Sequence, residues 1–176
     1  MKRYALVIAV SIIVCSYLNA AFFTNVNIFG IRPDAILALI VSIGVLLGGL
    51  PASIIGLGVG LMMDVFFNKI VGLSAIAYIV AGIAGGIFYK KFYADNVIIP
   101  AATAVVSTFF KEHILCLAAL LAGARFNYGL MLVAYILPCC LLTGGICILI
   151  HMVMKSMLVG KHKSIVSQVK ERRGVR

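Results

Sequence analysis

The chain has 176 residues, of which 64% are hydrophobic and 11% are charged. This composition excludes a soluble domain of average make-up. Since one membrane-spanning helix needs about 20 apolar residues, the length allows six spans and leaves no room for a separate soluble domain. The formal net charge of +10 does not indicate nucleic acid as a partner, because the basic residues flank apolar runs and do not line one face together with aromatic residues.

Six apolar segments follow one another along the chain. They predict an all-α integral membrane protein, a compact bundle with approximate spans at 4–23, 34–49, 52–67, 72–89, 97–121 and 129–157, and a basic tail at 158–176. Pro33 and Pro100 suit the first turns of the second and fifth helices, Gly49-Leu50-Pro51 predicts a tight break, and Pro138 is expected to kink the last helix. The second and third spans are short enough to form a re-entrant hairpin instead.

The distribution of basic residues predicts the topology. Eleven of the 15 Lys and Arg residues form three clusters, two at 2–3, two at 90–91 and seven between 155 and 176. Cytoplasmic loops of membrane proteins are enriched in Lys and Arg, so we expect these clusters, and therefore both termini, in the cytoplasm. The tail is expected to lie on anionic lipid, at about 1 kcal/mol per basic residue, or to serve as a disordered topology anchor.

Glycines spaced four residues apart predict how the helices pack. Such pairs let two backbones approach closely in a membrane, where no hydrophobic effect drives helix association. They indicate a compact arrangement of the second to fourth spans, although the same faces could receive the helix of a partner protein. The pairs are Gly44 and Gly48, Gly56 and Gly60, and Gly82 and Gly86.

Ionisable residues inside apolar runs are the candidate site. Asp64 lies in the third span, and Lys111 and Glu112 lie in the fifth. Each such group costs about 3 kcal/mol on insertion scales, so it is expected to face the bundle or a partner. Asp64 and Lys111 both lie roughly 20 Å above the cytoplasmic side. We therefore expect them to pair, or to share a polar cluster with Glu112, and a structural pin is favoured over a chemical role.

The remaining polar residues suggest no catalysis. Arg32 and Asp34 flank Pro33 where the second span enters the membrane, which is typical of a solvated helix cap, and His151 is expected at the cytoplasmic interface. The five cysteines are odd in number and form no CxxC, so neither a disulfide framework nor a metal site is indicated. We expect no enzyme activity and no cofactor, since no catalytic or phosphate-binding motif is present.

Three short motifs resemble the family of the bacterial rod shape-determining protein MreD. That family has a basic residue followed by Pro-Asp, a "GLLLDL" stretch and a "GLxAxxY" helix start. The matching residues here are Arg32, Pro33, Asp34, Asp64, Gly72, Leu73, Ala75 and Tyr78. Glu112 also matches a Glu of the family's fifth helix, whereas Lys111 departs from the Tyr that precedes it there. The resemblance covers residues 32–112.

The resemblance implies a fold similar to the substrate-binding S components of energy-coupling-factor transporters, located in the bacterial plasma membrane. It implies a non-enzymatic subunit of the cell-elongation machinery, which helps to control peptidoglycan synthesis and cell shape. The implied partners are a bitopic MreC-like protein and, through it, an MreB-like filament and a peptidoglycan synthase complex. The main alternative is a vitamin-binding S component, which the short outer loops and the absence of Trp disfavour. An ion or proton translocator lacks inverted-repeat charges.

Overall fold

A computed structural model describes residues 2–22, 31–67, 72–89, 96–124 and 127–158. The basic residues at 90–91 and those of the tail beyond residue 158 lie outside the described residues. Within the described residues the chain is almost entirely helical, which confirms the all-α prediction. The helices are α1 (Lys2–Tyr17, continued by a π-helical turn at Leu18–Phe22), α2 (Ala35–Leu47), α3 (Gly49–Phe67), α4 (Leu73–Ile87), α5 (Ile98–Leu121) and α6 (Tyr128–Leu158, π-helical at Leu132–Ile136).

Three of these helices are long and apolar enough to cross a membrane. They are α3, α5 and α6, and the described parts of α1, α2 and α4 are apolar but shorter. At 1.5 Å per residue, the 13 residues of α2 span roughly 20 Å. This length falls short of the hydrocarbon thickness of about 30 Å. The length and apolarity of α3, α5 and α6 indicate that the chain is a membrane protein.

Helix α2 is the centre of the bundle. Eleven consecutive residues, from Ala35 to Val45, are buried, because α2 packs against α1, α3, α4, α5 and α6. A helix that is apolar on all sides is one that other helices surround. The sequence of α2 fits this position, since Ser42 is its one hydroxyl-bearing residue.

The predicted glycine packing is present between α2, α3 and α4. An ideal Cβ on Gly44 would lie 2.8 Å from the carbonyl oxygen of Gly82, and one on Gly60 would lie 2.5 Å from the Cα of Ala75. On Gly56 it would lie 2.9 Å from the carbonyl oxygen of Tyr78. The glycine faces are therefore filled from within the chain. The alternative that they receive a partner's helix is wrong for these positions.

The break between α2 and α3 differs from the prediction. It consists of a single residue, Gly48, whose positive φ of 106° favours glycine. A Cβ there would also lie 3.4 Å from the ring of Tyr89. Gly49-Leu50-Pro51 is helical, and Pro51 occupies the first turn of α3, where a missing amide proton is tolerated.

The expected disturbance at Pro138 takes the form of a π-helical turn. Proline has no amide hydrogen, and its ring clashes with the carbonyl group four residues earlier. The residues immediately before it, Leu132–Ile136, adopt the wider π-helical turn, and regular helix resumes at Leu137. This adjustment keeps α6 continuous from Tyr128 to Leu158.

Candidate functional site

Asp34 is the hub of the buried polar groups. It forms the N-cap of α2, and its Oδ1 accepts a hydrogen bond from the backbone N–H of Leu37 at 3.0 Å. Such a cap satisfies one of the unpaired donors of the first helical turn. Oδ1 also accepts a hydrogen bond from the side-chain amide of Asn19 at 2.9 Å. Asp34 is only 3% exposed, so the prediction of a solvated cap is wrong in its environment although right in its capping role.

The second carboxylate oxygen of Asp34 joins two more helices. Its Oδ2 accepts a hydrogen bond from the Tyr78 hydroxyl at 2.8 Å and forms an ion pair with the Lys111 ammonium. The backbone N–H of Asp34 donates to the Thr143 hydroxyl at 3.1 Å. One residue thus connects α2 with α1, α4, α5 and α6. A buried charge is stable only when it is paired and hydrogen-bonded, and Asp34 is both.

Lys111 lies between two carboxylates. Besides its contact with Asp34, its Nζ is 3.8 Å from Oε1 of Glu112 and 5.6 Å from the centroid of the Tyr78 ring, a distance compatible with a cation–π interaction. The predicted pair of Asp64 and Lys111 is wrong, because Asp34 is the partner of Lys111. For the alternative, a polar cluster of Asp64 and Lys111 with Glu112, the structure places Lys111 beside its sequence neighbour Glu112, whereas Asp64 accepts hydrogen bonds at the start of α4.

Asp64 caps α4 instead. Its Oδ2 accepts hydrogen bonds from the backbone N–H groups of Gly72 at 2.8 Å, Ser74 at 3.0 Å and Ala75 at 3.4 Å. The first N–H groups of a helix have no partner within it, so they supply the donors that a fully buried carboxylate requires. Gly72 sits at the turn with φ +101°, which favours glycine. The equal heights of Asp64 and Lys111 estimated from the sequence did not imply that the two side chains share a face.

Helices α2 and α6 run parallel in register. Three hydrogen bonds link residues with the same sequence offset of 109: the Asp34 N–H to Thr143, the Cys147 thiol to the Ala38 carbonyl, and Ser42 with His151. The bonds recur every four residues, one helical turn apart. His151 is fully buried and hydrogen-bonded to Ser42 at 2.9 Å, so its predicted interfacial position is wrong.

This register places the hub deep in the bundle. Thr143 is the middle residue of the 31-residue helix α6, so α2 begins at half the height of α6. The residues before α2 are non-helical, and Ile31, Pro33 and Asp34 are buried. Irregular backbone at this depth is tolerated when protein surrounds it. Arg32 is exposed, and its carbonyl oxygen accepts a hydrogen bond from the Cys139 thiol at 3.3 Å.

Sequence reasoning missed two residues of the site, Asn19 and Thr143. Asn19 also accepts a hydrogen bond from the Ala35 N–H at 2.9 Å, so its amide contacts both Asp34 and the start of α2. It lies in the π-helical turn that ends α1. The available signal was an amide side chain within an apolar run, because polar groups inside a membrane segment need partners.

The arrangement of the site favours holding helices together over chemistry. Asp34 accepts four hydrogen bonds from within the chain. All five cysteines are buried and unbridged, and the described residues contain no group of three or more metal-binding side chains. Comparison of the chain with known protein families, curated proteins and solved structures finds no match.

Proposed function

We propose that the protein is a non-enzymatic membrane subunit of the bacterial cell-elongation machinery. In this role it docks a bitopic MreC-like protein and acts through it with an MreB-like filament and a peptidoglycan synthase complex. The proposal starts from the resemblance of residues 32–112 to the MreD family. One structural observation supports it: three polar residues that carry the resemblance, Asp34, Asp64 and Tyr78, lie at contacts between helices.

The matching residues lie at two helix–helix contacts. Asp34 and Tyr78 belong to the hydrogen-bonded contact that connects α2 with α1, α4, α5 and α6. Asp64 and Gly72 belong to the contact between α3 and α4. A carboxylate that is filled by donors of its own chain has little left to offer a ligand. This arrangement favours a scaffold over the vitamin-binding alternative.

We also propose that the chain crosses the plasma membrane six times, with both termini in the cytoplasm and a fold similar to an S component. The parallel register of α2 and α6 supports this topology, because alternate crossings reverse the chain an even number of times between them. The opposite order of the α3–α4 contacts agrees with it. Gly56 lies against Tyr78, and Gly60 lies against the earlier residue Ala75.

The outward faces of α3 and α4 are the proposed docking surface for the partner's helix. Helix α2 is covered on all sides, and the inner glycines are filled, so these outer faces are what remains of the second to fourth helices. Gly58 is exposed, and a Cβ there would meet nothing within 4 Å, which permits close approach of a second backbone. The surface consists of Leu57, Gly58, Leu61, Ile76 and Val80.

In-cell photocrosslinking tests the docking proposal. A photoreactive amino acid at Leu57 or Ile76 should trap a single-span membrane protein, whereas the matched position Leu141, exposed on α6, should not. In parallel, depletion of the protein from a rod-shaped host should give round cells, and the wild-type chain should restore the rods. Depleted cells that remain rods would contradict the elongation role. Equal trapping from Leu141 would contradict only the docking surface.

A further inference from the structure

Helix α1 is the least embedded helix of the bundle. Among its described side chains, from Leu6 to Ala20, only Cys15 is buried. Leu6, Ile13 and Tyr17 each expose about two-thirds of their surface (65%, 68% and 69%). Helix α1 packs against α2 and, less extensively, against α6. Helix α1 therefore covers one side of the central helix α2.

Among the described residues, Asn19 makes the main polar contacts between α1 and the rest of the bundle. It donates to Asp34 and accepts from the Ala35 N–H, both at 2.9 Å. A weaker polar contact among the described side chains comes from the Ser11 hydroxyl, which donates to the thioether sulfur of Met154 at 3.3 Å. Asn19 lies in a π-helical turn, a feature frequently found at functional sites.

We infer that α1 is a lateral gate, which Asn19 holds shut over the Asp34–Lys111 pair at half height of the bundle. When α1 moves outward, Asp34 keeps its hydrogen bonds from Leu37, Tyr78 and Lys111, so the buried carboxylate stays satisfied. Outward movement of α4 would break the Tyr78 hydrogen bond to Oδ2 of Asp34, and outward movement of α5 would break the ion pair of Lys111 with the same oxygen. Among the helices whose side chains hydrogen-bond to the Asp34 carboxylate from outside α2, namely α1, α4 and α5, α1 is the one whose departure leaves both the ion pair and the Tyr78 bond intact.

The bilayer makes this motion easier than it would be in water. The inner face of α1 is apolar, with Val7, Ile8, Ile12 and Leu18 packed on the core. Lipid tails solvate such side chains as well as a protein core does, so no hydrophobic effect holds the helix in place. The hydrogen bonds of Asn19, together with the van der Waals packing of these side chains, therefore keep the gate closed. This inference does not depend on the elongation role.

Labelling of the native cysteines tests the gate. Purified protein in mild detergent is treated with N-ethylmaleimide at constant pH, and the modification rate of each cysteine is read by mass spectrometry. In Asn19→Ala, Cys15 on the inner face of α1 should react at least about tenfold faster, since tenfold corresponds to only about 1.4 kcal/mol. Cys116 on α5, away from the α1 contacts, should keep its wild-type rate.

Two further variants complete the test. Asn127→Ala removes another capping amide, which accepts from the Leu130 N–H at 3.4 Å, and should leave the Cys15 rate unchanged. In Asn19→Ala, a short crosslink between Ser11→Cys and Met154→Cys should bring the Cys15 rate back towards that of the wild type. An unchanged Cys15 rate in Asn19→Ala would overturn the gate. So would a parallel rise of all five cysteines, or a crosslink without effect.

Discussion

At the residue scale, the burial of Asp34 is explained by the number of its donors. Four hydrogen bonds, one of them from the Lys111 ammonium, replace the water that a carboxylate would have outside the membrane. Removing one member of a buried ion pair leaves the other charge uncompensated, which typically costs about 3–5 kcal/mol. Asp34 and Lys111 should therefore be energetically coupled, and Asp64 should be independent of both.

A double-mutant cycle tests this coupling. Asp34→Asn and Lys111→Met should each lower the free energy of unfolding by about 3 kcal/mol or more, and the double variant should lose at least about 1 kcal/mol less than the sum. The measurement is unfolding in mixed micelles of increasing denaturing-detergent content. The matched cycle of Asp64→Asn with Lys111→Met should be additive to within about 0.5 kcal/mol. A larger coupling in the second cycle than in the first would refute the pairing seen here.

The polar residues show what sequence could and could not predict at this scale. The inward placement of Asp64, Lys111 and Glu112, of which Asp64 and Glu112 are buried and Lys111 is partly buried, follows from the cost of placing a charge in lipid, and the sequence predicted it. Their partners depend on which helix faces meet, and the sequence did not contain this information directly. The Asp64 carboxylate caps the start of α4 because three backbone N–H donors are available there.

At the scale of elements, glycine spacing was the most informative pattern. It predicted the close packing of the second to fourth helices, because only a residue without a side chain permits such approach. Hydropathy was less informative about depth. A core helix such as α2 and a lipid-facing helix have similar composition, so the pattern did not reveal that α2 begins at half the height of α6 or that one residue, Gly48, separates α2 from α3.

Two glycines of α3 provide a matched pair for testing the packing. In Gly60→Ala the new methyl group would lie 2.5 Å from the Cα of Ala75, so we expect destabilisation of about 1–3 kcal/mol. In Gly58→Ala it meets open space, and the gain in helix propensity should stabilise by about 0.5–1 kcal/mol. The unfolding assay in mixed micelles should give opposite signs. Equal effects would show that α3 and α4 do not touch at Gly60.

At the scale of the whole molecule, the apolar exterior fits a lipid environment. Large side chains such as Leu50, Ile98 and Leu121 are more than 70% exposed, while the described acidic residues are buried. This distribution is inside out relative to a soluble protein. The sequence predicted it from composition alone, since a chain that is 64% hydrophobic cannot bury all its apolar residues.

Chain direction connects the fold to its orientation in the membrane. Helices α2 and α6 run in the same direction, so the C-terminal ends of the two helices should lie on the same side of the membrane.

Reporter fusions at residues 1 and 176 should both be active as cytoplasmic reporters, because basic clusters flank both chain termini. A tag inserted after Gly123, in the exposed turn between α5 and α6, should react with an impermeant reagent from outside. Termini on opposite sides would show that one helix does not cross. A protected tag at Gly123 together with cytoplasmic termini would leave α5 and α6 as a hairpin that enters and leaves by the same face, against the length and apolarity that suit both for crossing.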